Sequence, residues 1–367
     1  MSIWDIYTHI PHFLRPILKF LIKVLTLILN DAILCVNQKI VYSITRIRSE
    51  AKYMVGNFRD ELGKTFVAAG EAFPSLVVVT ADVSKSTRSI QFKQRWPERF
   101  LSVGIAEANA VSIAAGISTF NRPVIFTAYG VFATEKPFEQ IRNTLCYPEM
   151  NVKVVATHGG ISVGEDGATH PAIEDIAIMR AIPKMKVLVA ADPGEVKAAV
   201  FEAIRTPGPV YVRLGRGVGN PIHQDPDDVP YEMGKAEVLR PGNDVTLIGA
   251  GVMVERSLIA AGMLEEKGIS ARVINIRSVK PIDVDTITAA ARETGAIVTA
   301  EDHNCFGGVF GAVSEAVALT APVPMERVAI ENVFGESGNG EKLLEKYGLT
   351  AQAICDKAIR AIARKRG

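Results

Sequence analysis

The chain has 367 residues, of which 48% are hydrophobic and 22% are charged, and its formal net charge is +1. This length and composition predict a globular protein of two or three domains with a sizeable core. The balanced charge gives no electrostatic basis for binding nucleic acid. The 4 cysteines lie far apart without metal-type or disulfide spacing, which predicts free thiols in a reducing compartment, and hence a cytoplasmic protein.

Residues 1–53 differ from the rest of the chain. The stretch 13–36 is strongly apolar, but Lys19 and Lys23 lie inside the window that a membrane span would need. Three interpretations remain: an interfacial amphipathic helix, a poor membrane anchor, or upstream sequence translated ahead of a true start at Met54. Ordinary globular patterning begins directly after Met54, which favours the third interpretation, so association with a membrane is not expected.

From Asn57 onwards, strands and helices alternate. Short β-branched runs predict buried strands at 76–80, 100–103, 123–126, 152–156, 187–190 and 210–214. The segments between them predict helices at 59–73, 108–118, 129–146, 173–181 and 193–205. Such alternation predicts a parallel sheet with helices on both faces.

A stretch with three prolines and three aspartates, 221–230, predicts a linker between two domains, placed at 54–220 and 233–367 with the linker region at 221–232. The second domain repeats the α/β pattern. Its predicted strands are 244–249, 271–275, 296–300 and 328–330, and its predicted helices are 253–267, 283–294 and one that Gly307–Gly308 opens.

A glycine-rich loop, 157–170, follows the strand 152–156, and Pro171 and Glu174 predict the first turn of a helix after it. His158, Asp166 and His170 in this loop offer titratable hydrogen-bonding groups that suit a polyhydroxylated or carbonyl substrate. A solvated loop without a function is the alternative. No metal site is predicted, because the chain has no tight histidine or cysteine pair.

Glu107 follows a strand end at the start of a helix rich in small residues. Its carboxylate is either a helix cap or a buried acid that exchanges a proton with a cofactor nitrogen. Tyr129 and Phe132, three residues apart, either pack in the core or present an aromatic face to a planar ring.

Three further polar residues, Arg59, Ser86 and Arg216, follow different strand ends or open helices. They are candidates for binding a phosphate group, for which arginine offers bidentate geometry, although exposed arginines are commonly only solvated.

Four motifs in this order resemble transketolase: 100–107 (FLSVGIAE), 127–132 with 138–142, the loop 158–170 and 208–216 (GPVYVRLGR). The resemblance runs from about Arg59 to the C-terminus. It implies a pyrimidine domain with the thiamine diphosphate-binding fold at 54–220 and a transketolase C-terminal domain at 233–367, each a three-layer α/β domain with a parallel or mixed sheet.

The resemblance also implies roles for individual residues. Glu107 matches the glutamate that hydrogen-bonds N1′ of the thiamine aminopyrimidine and relays a proton, and Tyr129 and Phe132 match aromatic residues around that ring. The other matches concern the sugar phosphate: His158, Asp166 and His170 at its hydroxyl groups and carbonyl end, Arg59, Ser86 and Arg216 at its phosphate, and, more weakly, Asp82.

One feature of transketolase is missing. The family binds the diphosphate and its divalent cation through a Gly-Asp-Gly motif followed later by Asn, and the Gly-Glu-Asp-Gly at 164–167 belongs to the substrate loop instead. The resemblance therefore implies the C-terminal subunit of a split transketolase. Its expected partner holds thiamine diphosphate and Mg²⁺ in an α2β2 assembly, and the chain alone is expected to be inactive.

Two alternatives to a ketol-transferring subunit of the pentose phosphate pathway remain. One is another thiamine enzyme, either a 1-deoxyxylulose-5-phosphate synthase-like chain or a 2-oxo acid dehydrogenase beta subunit. The other is a non-catalytic assembly subunit, which would predict damage at Glu107 or His170, and both residues are present.

Overall fold

A computed structural model describes residues 56–223 and 227–365, which belong to one compact unit. The interpretations of residues 1–53 concern residues outside this description. None of the helices within the described ranges combines the length and the apolar character that crossing a bilayer requires.

The strands of the described residues form three sheets. Their bounds are β1 Gly56–Asn57, β2 Val77–Thr80, β3 Phe100–Ser102, β4 Val124–Tyr129, β5 Val152–Thr157, β6 Lys186–Val189, β7 Val210–Arg213, β8 Val218–Gly219, β9 Glu237–Arg240, β10 Val245–Gly249, β11 Ala271–Asn275, β12 Ser278–Lys280, β13 Ile297–Asn304 and β14 Met325–Ile330.

Helices connect most of these strands. Their bounds are α1 Phe58–Ala72, α2 Ile90–Arg95, α3 Glu107–Ser118, α4 Gly130–Thr134, α5 Phe138–Gln140, α6 Asp175–Ala181, α7 Glu195–Arg205, α8 Met253–Glu265, α9 Val284–Thr294, α10 Val309–Thr320, α11 Gly340–Lys346 and α12 Ala351–Arg364, with 3₁₀ turns at Pro97–Arg99 and Ile161–Val163 and a π-helical turn at Ile141–Cys146.

The first large sheet has the order β12-β6-β7-β5-β4-β2-β3, and the strands from β2 to β7 are all parallel. Both faces of its central strands are buried, since every residue of β2, β5 and β7 is buried. Continuous β-branched runs without polar alternation are typical of strands covered on both sides. The predicted parallel sheet is therefore confirmed.

The second large sheet has the order β14-β13-β10-β11-β9, in which only β9 runs antiparallel to its neighbour. One hydrophobic cluster contains residues of both sheets, such as Val187 of β6 and Ile248 of β10. The predicted α/β class with two parallel or mixed sheets is confirmed, and the two sheets share part of their core.

The short strand β12, which the sequence analysis did not predict, comes from the second half of the chain but completes the edge of the first sheet. Its Lys280 donates from Nζ to the carbonyls of Arg180 and Ile182, at 2.8 and 2.6 Å. This lysine thereby satisfies carbonyl groups at the end of α6. A three-residue strand carries too little periodicity to be recognised from sequence.

The single helix predicted over 129–146 is wrong. The segment consists of α4, α5 and the π-helical turn, with breaks around Pro137. Proline lacks a backbone N–H and restricts the residue before it, so a continuous helix cannot pass this position undisturbed.

Several predicted boundaries are also wrong. Residues Pro171–Glu174 precede α6 instead of opening it, because Ala172 exchanges backbone hydrogen bonds with His158 and Gly160 at 3.4 and 2.8 Å. The last strand begins at Met325 instead of 328, and the helix predicted from 193 begins at Glu195. The helix that Gly307–Gly308 was predicted to open begins at Val309, with Gly308 as its N-cap, so this prediction is confirmed.

A buried polar cluster connects the two large sheets through the predicted linker. Arg277 contacts Glu195 at 2.8 Å and also Glu237, while His223 of the linker lies 3.0 Å from Glu237. Burial lowers the pKa of His223, but hydrogen bonds to Asp192 and Glu237 outweigh this effect and raise the pKa to about 10. The linker is therefore anchored at its first residues by charge pairing.

We expect Arg277→Met to lower the free energy of unfolding by about 3–5 kcal/mol, because Glu195 would stay buried without its nearest cation and, among the described residues, only the positive charge of His223, at 3.8 Å, would remain beside it. Urea-induced unfolding measures this change. The control is Arg240→Met, which breaks an ion pair with the largely exposed Glu265 and is expected to cost less than ~1 kcal/mol. Equal losses of unfolding free energy in the two variants would contradict the conclusion that Arg277 compensates the buried charge of Glu195.

Candidate active site

The carboxyl ends of the parallel strands bring most of the candidate residues to one edge of the first sheet. Glu107 and Arg216 lie just beyond β3 and β7, Tyr129 ends β4, and His158 directly follows β5. Parallel strands in one sheet end at the same edge, where open α/β sheets place their ligand sites.

Glu107 is the first residue of α3 and only 7% exposed. Its carboxylate pairs with Nζ of Lys136, at 3.2 and 3.4 Å, and the same ammonium lies 4.6 Å from the centre of the Phe132 ring. Lys136 thus connects the carboxylate with the aromatic candidates. Lys136 was not predicted, because its partner Glu107 is 29 residues away and no local pattern indicates the pair.

Four rings form a contiguous cluster between β4 and the glycine-rich loop 157–170, here called the central loop. Tyr129 stacks on His158 with ring centres 3.8 Å apart, and Phe132 stacks beside Tyr129 at 5.8 Å. His170 lies 5.2 Å from Phe132 and 6.1 Å from Tyr129. The two aromatic residues and the two loop histidines therefore belong to one site, and Tyr129 and Phe132 are only partly buried.

His158 is almost completely buried, with 1% of its surface exposed. Its Nδ1 lies 2.7 Å from Oγ1 of Thr157, and its Nε2 lies 3.7 Å from the carboxylate of Asp166. Burial, together with the positive charges of Arg216 and Arg59, lowers the pKa of His158 to about 3. The imidazole is therefore neutral and can donate one hydrogen bond and accept another.

Arg216 holds the central loop from the side of β7. It donates from Nη1 to the carbonyl of Val163 at 2.6 Å, and its Nη2 lies 3.5 Å from Asp166. Burial and the neighbouring charge of Arg216 lower the pKa of Arg59. The Nε atoms of Arg59 and Arg216 are both buried without a hydrogen-bond partner within the described part of the chain.

A cavity of about 270 Å³ lies between these two arginines, Ser162 to Glu165 of the central loop and Gly338 to Gly340 of the C-terminal half. Two guanidinium groups beside one cavity can bind an anionic group of a ligand.

Ser86 lies in the turns after β2 and is partly buried. Among the described residues, no hydrogen bond joins it to Arg59 or Arg216. Arg88 from the same turns reaches α1 instead, donating from Nε to Asp60 at 2.8 Å, and its charge contributes to lowering the pKa of Arg59. The sequence analysis missed Arg88 because a lone arginine in a turn gives no signal.

Within the described ranges, one group of side chains has the donor atoms and the spacing of a metal site: Glu195, His223 and Glu237. The guanidinium of Arg277 already contacts both of these glutamates. The group is therefore a charge-paired contact between the two sheets, and it gives no basis for adding a metal ligand to the candidate site.

We expect His158 to stay neutral from about pH 5 to about pH 8, because its buried position beside two arginines opposes protonation. Imidazole chemical shifts of the ¹⁵N-labelled chain test this, with His158→Gln for assignment and the protonated His223 as the internal reference. Because folding lowers the pKa of His158, protonation of this residue favours the unfolded chain. The free energy of unfolding is therefore highest above the unfolded pKa of about 6.5 and decreases as the pH falls from there toward about 3. Titration of His158 near pH 6.5 would contradict its burial.

Two family profiles match the chain: "Transketolase, pyrimidine binding domain" over residues 56–220 and "Transketolase, C-terminal domain" over residues 234–354. A solved structure described as "Split gene transketolase, inactive beta4 tetramer" superposes with a TM-score of 0.78 at 42% identity, covering 85% of this chain and 100% of that one. The transketolase of Leishmania mexicana, at 21% identity and a TM-score of 0.71, shares the fold over 87% of this chain and 48% of its own.

Among curated proteins, the chain is 40% identical over 300 residues to the "Putative transketolase C-terminal section" of Methanocaldococcus jannaschii, covering 82% of this chain and 94% of that protein. It is 37% identical over 290 residues to a 6-deoxy-6-sulfo-D-fructose transketolase subunit of a Clostridium species, covering 79% and 89%. The 1-deoxy-D-xylulose-5-phosphate synthase of Desulforudis audaxviator is 36% identical over 301 residues, which cover 81% of this chain and 47% of that enzyme. The chain therefore belongs to the transketolase family.

Proposed function

We propose that this chain is the C-terminal subunit of a split transketolase that transfers a two-carbon ketol unit from a ketose phosphate to an aldose phosphate. The observation that carries the proposal is the row of contacts from His158 through Asp166 to Arg216, which lines a cavity together with Arg59. Such an edge offers hydrogen bonds for sugar hydroxyls together with cations for a phosphate.

Membership of the transketolase family implies the use of thiamine diphosphate. The residues present fit its aminopyrimidine ring, because a buried carboxylate and an aromatic pair are joined through Lys136. Glu107 would hold the ring nitrogen, and Tyr129 and Phe132 would pack around the ring. When bound, the cofactor supplies the carbon nucleophile and electron sink for cleaving the bond next to a ketose carbonyl.

Glu107 is suited to move a proton at its carboxylate. Its carboxylate lies at the start of α3 and is held there by Lys136. The side chain of Lys136 is half exposed and flexible, so its ammonium group can leave the carboxylate when a ring occupies the site.

The loop histidines and Asp166 would bind and orient the sugar. A neutral His158 donates to or accepts from a hydroxyl without adding a charge near the reacting atoms. His170, next to Phe132, would contact the donor's C1 hydroxyl and carbonyl end, and Asp166 would accept from the C2 hydroxyl of the aldose.

Arg59 and Arg216 would bind the phosphate of the sugar, because both arginines line the same cavity. Ser86 is proposed as a further phosphate ligand, but it would have to form this contact in the bound state. The same two arginines would also bind a sulfonate, so an assay with phosphorylated and sulfonated sugars identifies the terminal anionic group.

A separate subunit would hold the diphosphate and the divalent cation, which we propose to be Mg²⁺, in an α2β2 assembly acting in the pentose phosphate pathway. Relatives described as a C-terminal section and as transketolase subunits support a partner. So does a large apolar side chain at the surface near the site, since Ile105, two residues before Glu107, is 78% exposed.

A second candidate is a 1-deoxy-D-xylulose-5-phosphate synthase reaction, because several enzymes of that name match this chain over about half their length, as in the 47% covered in one of them. The 1-deoxy product lacks the C1 hydroxyl that His170 is proposed to contact. The product formed in the assay therefore separates the two reactions.

We expect ketol transfer from xylulose 5-phosphate to ribose 5-phosphate only when the chain, thiamine diphosphate and Mg²⁺ are mixed with the diphosphate-binding subunit. Glu107→Gln, which keeps the shape but removes the charge, is expected to lower kcat at least ~100-fold. Coupled detection of glyceraldehyde 3-phosphate measures both. The control Glu98→Gln changes an exposed glutamate that pairs with Arg99, and it should leave activity unchanged.

Activity of the chain alone would contradict the need for a partner. Activity that survives Glu107→Gln would contradict the role of this carboxylate, and formation of a 1-deoxy sugar from pyruvate would favour the second candidate.

We expect Arg59→Met to raise KM for xylulose 5-phosphate roughly tenfold while kcat changes little, because the loss concerns binding of the phosphate in ground and transition states alike. D-Xylulose, the same ketose without phosphate, serves as the matched substrate, and its KM is expected to stay the same. Equal effects on both sugars would show that Arg59 does not bind the phosphate.

A further inference from the structure

Asp302 of β13 reaches from the second sheet into the central loop of the first. Its side chain accepts hydrogen bonds from the backbone N–H groups of Ile161, at 2.9 Å, and Ser162, at 3.3 Å. Asp302 is only 2% exposed. Charge-assisted hydrogen bonds in such a buried position are stronger and better oriented than bonds at the surface.

The loop is shaped to receive this carboxylate. Gly160 has φ +83°, and a Cβ atom at that position would lie 2.0 Å from Oδ2 of Asp302. Only a residue without a side chain both adopts this backbone angle easily and leaves space for the carboxylate. Gly160 also donates to the carbonyl of Ala172 at 2.8 Å, which closes the base of the loop.

The 3₁₀ turn that Asp302 holds, Ile161–Val163, leads directly to the proposed ligands of the substrate. The carbonyl of Val163 accepts from Nη1 of Arg216 at 2.6 Å, and Nη2 of the same arginine lies 3.5 Å from Asp166. Any shift of the turn therefore moves the acceptor that fixes the guanidinium of Arg216.

Arg213 of β7 holds the backbone of Asp302 in place. Arg213 of β7 donates from Nη2 to the carbonyls of Asp302, at 2.8 Å, and Ala172, at 3.0 Å, and its Nε donates to Asp175 at 2.7 Å. The tip of β13 and the base of the loop thus share one buried guanidinium, which gives Asp302 little freedom to move.

We propose that Asp302 is a positioning residue for the anion-binding end of the active site, through which the C-terminal domain sets the place of Arg216. The inference rests on the proposed function for the identity of the ligand, but the contact with the loop stands on the geometry alone. It assigns the second sheet a role in recognising the phosphorylated end of the substrate.

A matched control lies one residue away. Glu301 is also buried, at 1% exposure, and its carboxylate also accepts from two backbone N–H groups, those of Val309 and Phe310 at 2.6 and 2.8 Å. These bonds cap α10 and do not touch the loop. Asp302→Asn and Glu301→Gln therefore remove the same charge from neighbouring positions of one strand.

The first measurement is hydrogen exchange of a peptide covering residues 158–170 in the chain assembled with its partner subunit. We expect faster exchange in Asp302→Asn and wild-type exchange in Glu301→Gln, although both lose thermal stability. In Gly160→Ala the added Cβ would collide with the carboxylate of Asp302 and displace it from the loop, so this variant is expected to reproduce the effect of Asp302→Asn. Unchanged loop exchange in Asp302→Asn, or equal changes in the control, would overturn the proposal.

The second measurement compares two donors with the assembled enzyme. For Asp302→Asn we expect KM to rise roughly tenfold for xylulose 5-phosphate and at most about twofold for D-xylulose, with kcat nearly retained. Equal rises for both sugars, or equal behaviour of Glu301→Gln, would reduce Asp302 to a structural residue. If the wild-type assembly transfers no ketol unit, the proposed function fails, whereas the exchange measurement still decides whether Asp302 orders the loop.

Discussion

The buried guanidinium of Arg213 is the contact on which the arrangement of the site depends. It pairs with the fully buried Asp175 and also donates to the carbonyls of Ala172 and Asp302, so that β7, the base of the central loop, α6 and β13 meet at one group. Tyr211 adds a fourth bond, from its hydroxyl to Asp175 at 2.5 Å. A buried ion pair contributes little net stability, but with its donors satisfied it fixes one arrangement of the surrounding chain segments.

The charges between this contact and the cavity determine which ligand the site favours. Toward the cavity, Arg59 and Arg216 create a positive environment in which the buried His158 stays neutral. An anion entering between the arginines would relieve their mutual repulsion, which otherwise contributes to the lowered pKa of Arg59. The cavity is thus electrostatically prepared for an anion before any ligand is present.

The two sheets are joined by polar contacts as well as by a shared apolar core. The cluster around Arg277 fixes the start of the linker, β12 extends the first sheet, and Asp302 reaches the central loop. These contacts explain how residues more than a hundred positions apart in the sequence, such as Ile161 and Asp302, come together at one edge of the first sheet. Rigid support of this kind keeps loop residues in place, since loops by themselves carry too few contacts to do so.

The sequence by itself determined the alternation of strands and helices, the two parallel or mixed sheets and the family, because periodicity and local motifs are properties of short segments. It also indicated that His158, Asp166, His170 and Arg216 belong together, since strand ends of a parallel sheet meet at one edge. Lys136, Asp302 and Arg213 became visible only in the tertiary structure. Lys136 contacts Glu107, which is 29 residues away, and Asp302 contacts Ile161, which is 141 residues away. Arg213 contacts Asp175, which is 38 residues away, and no local pattern specifies such distant pairs.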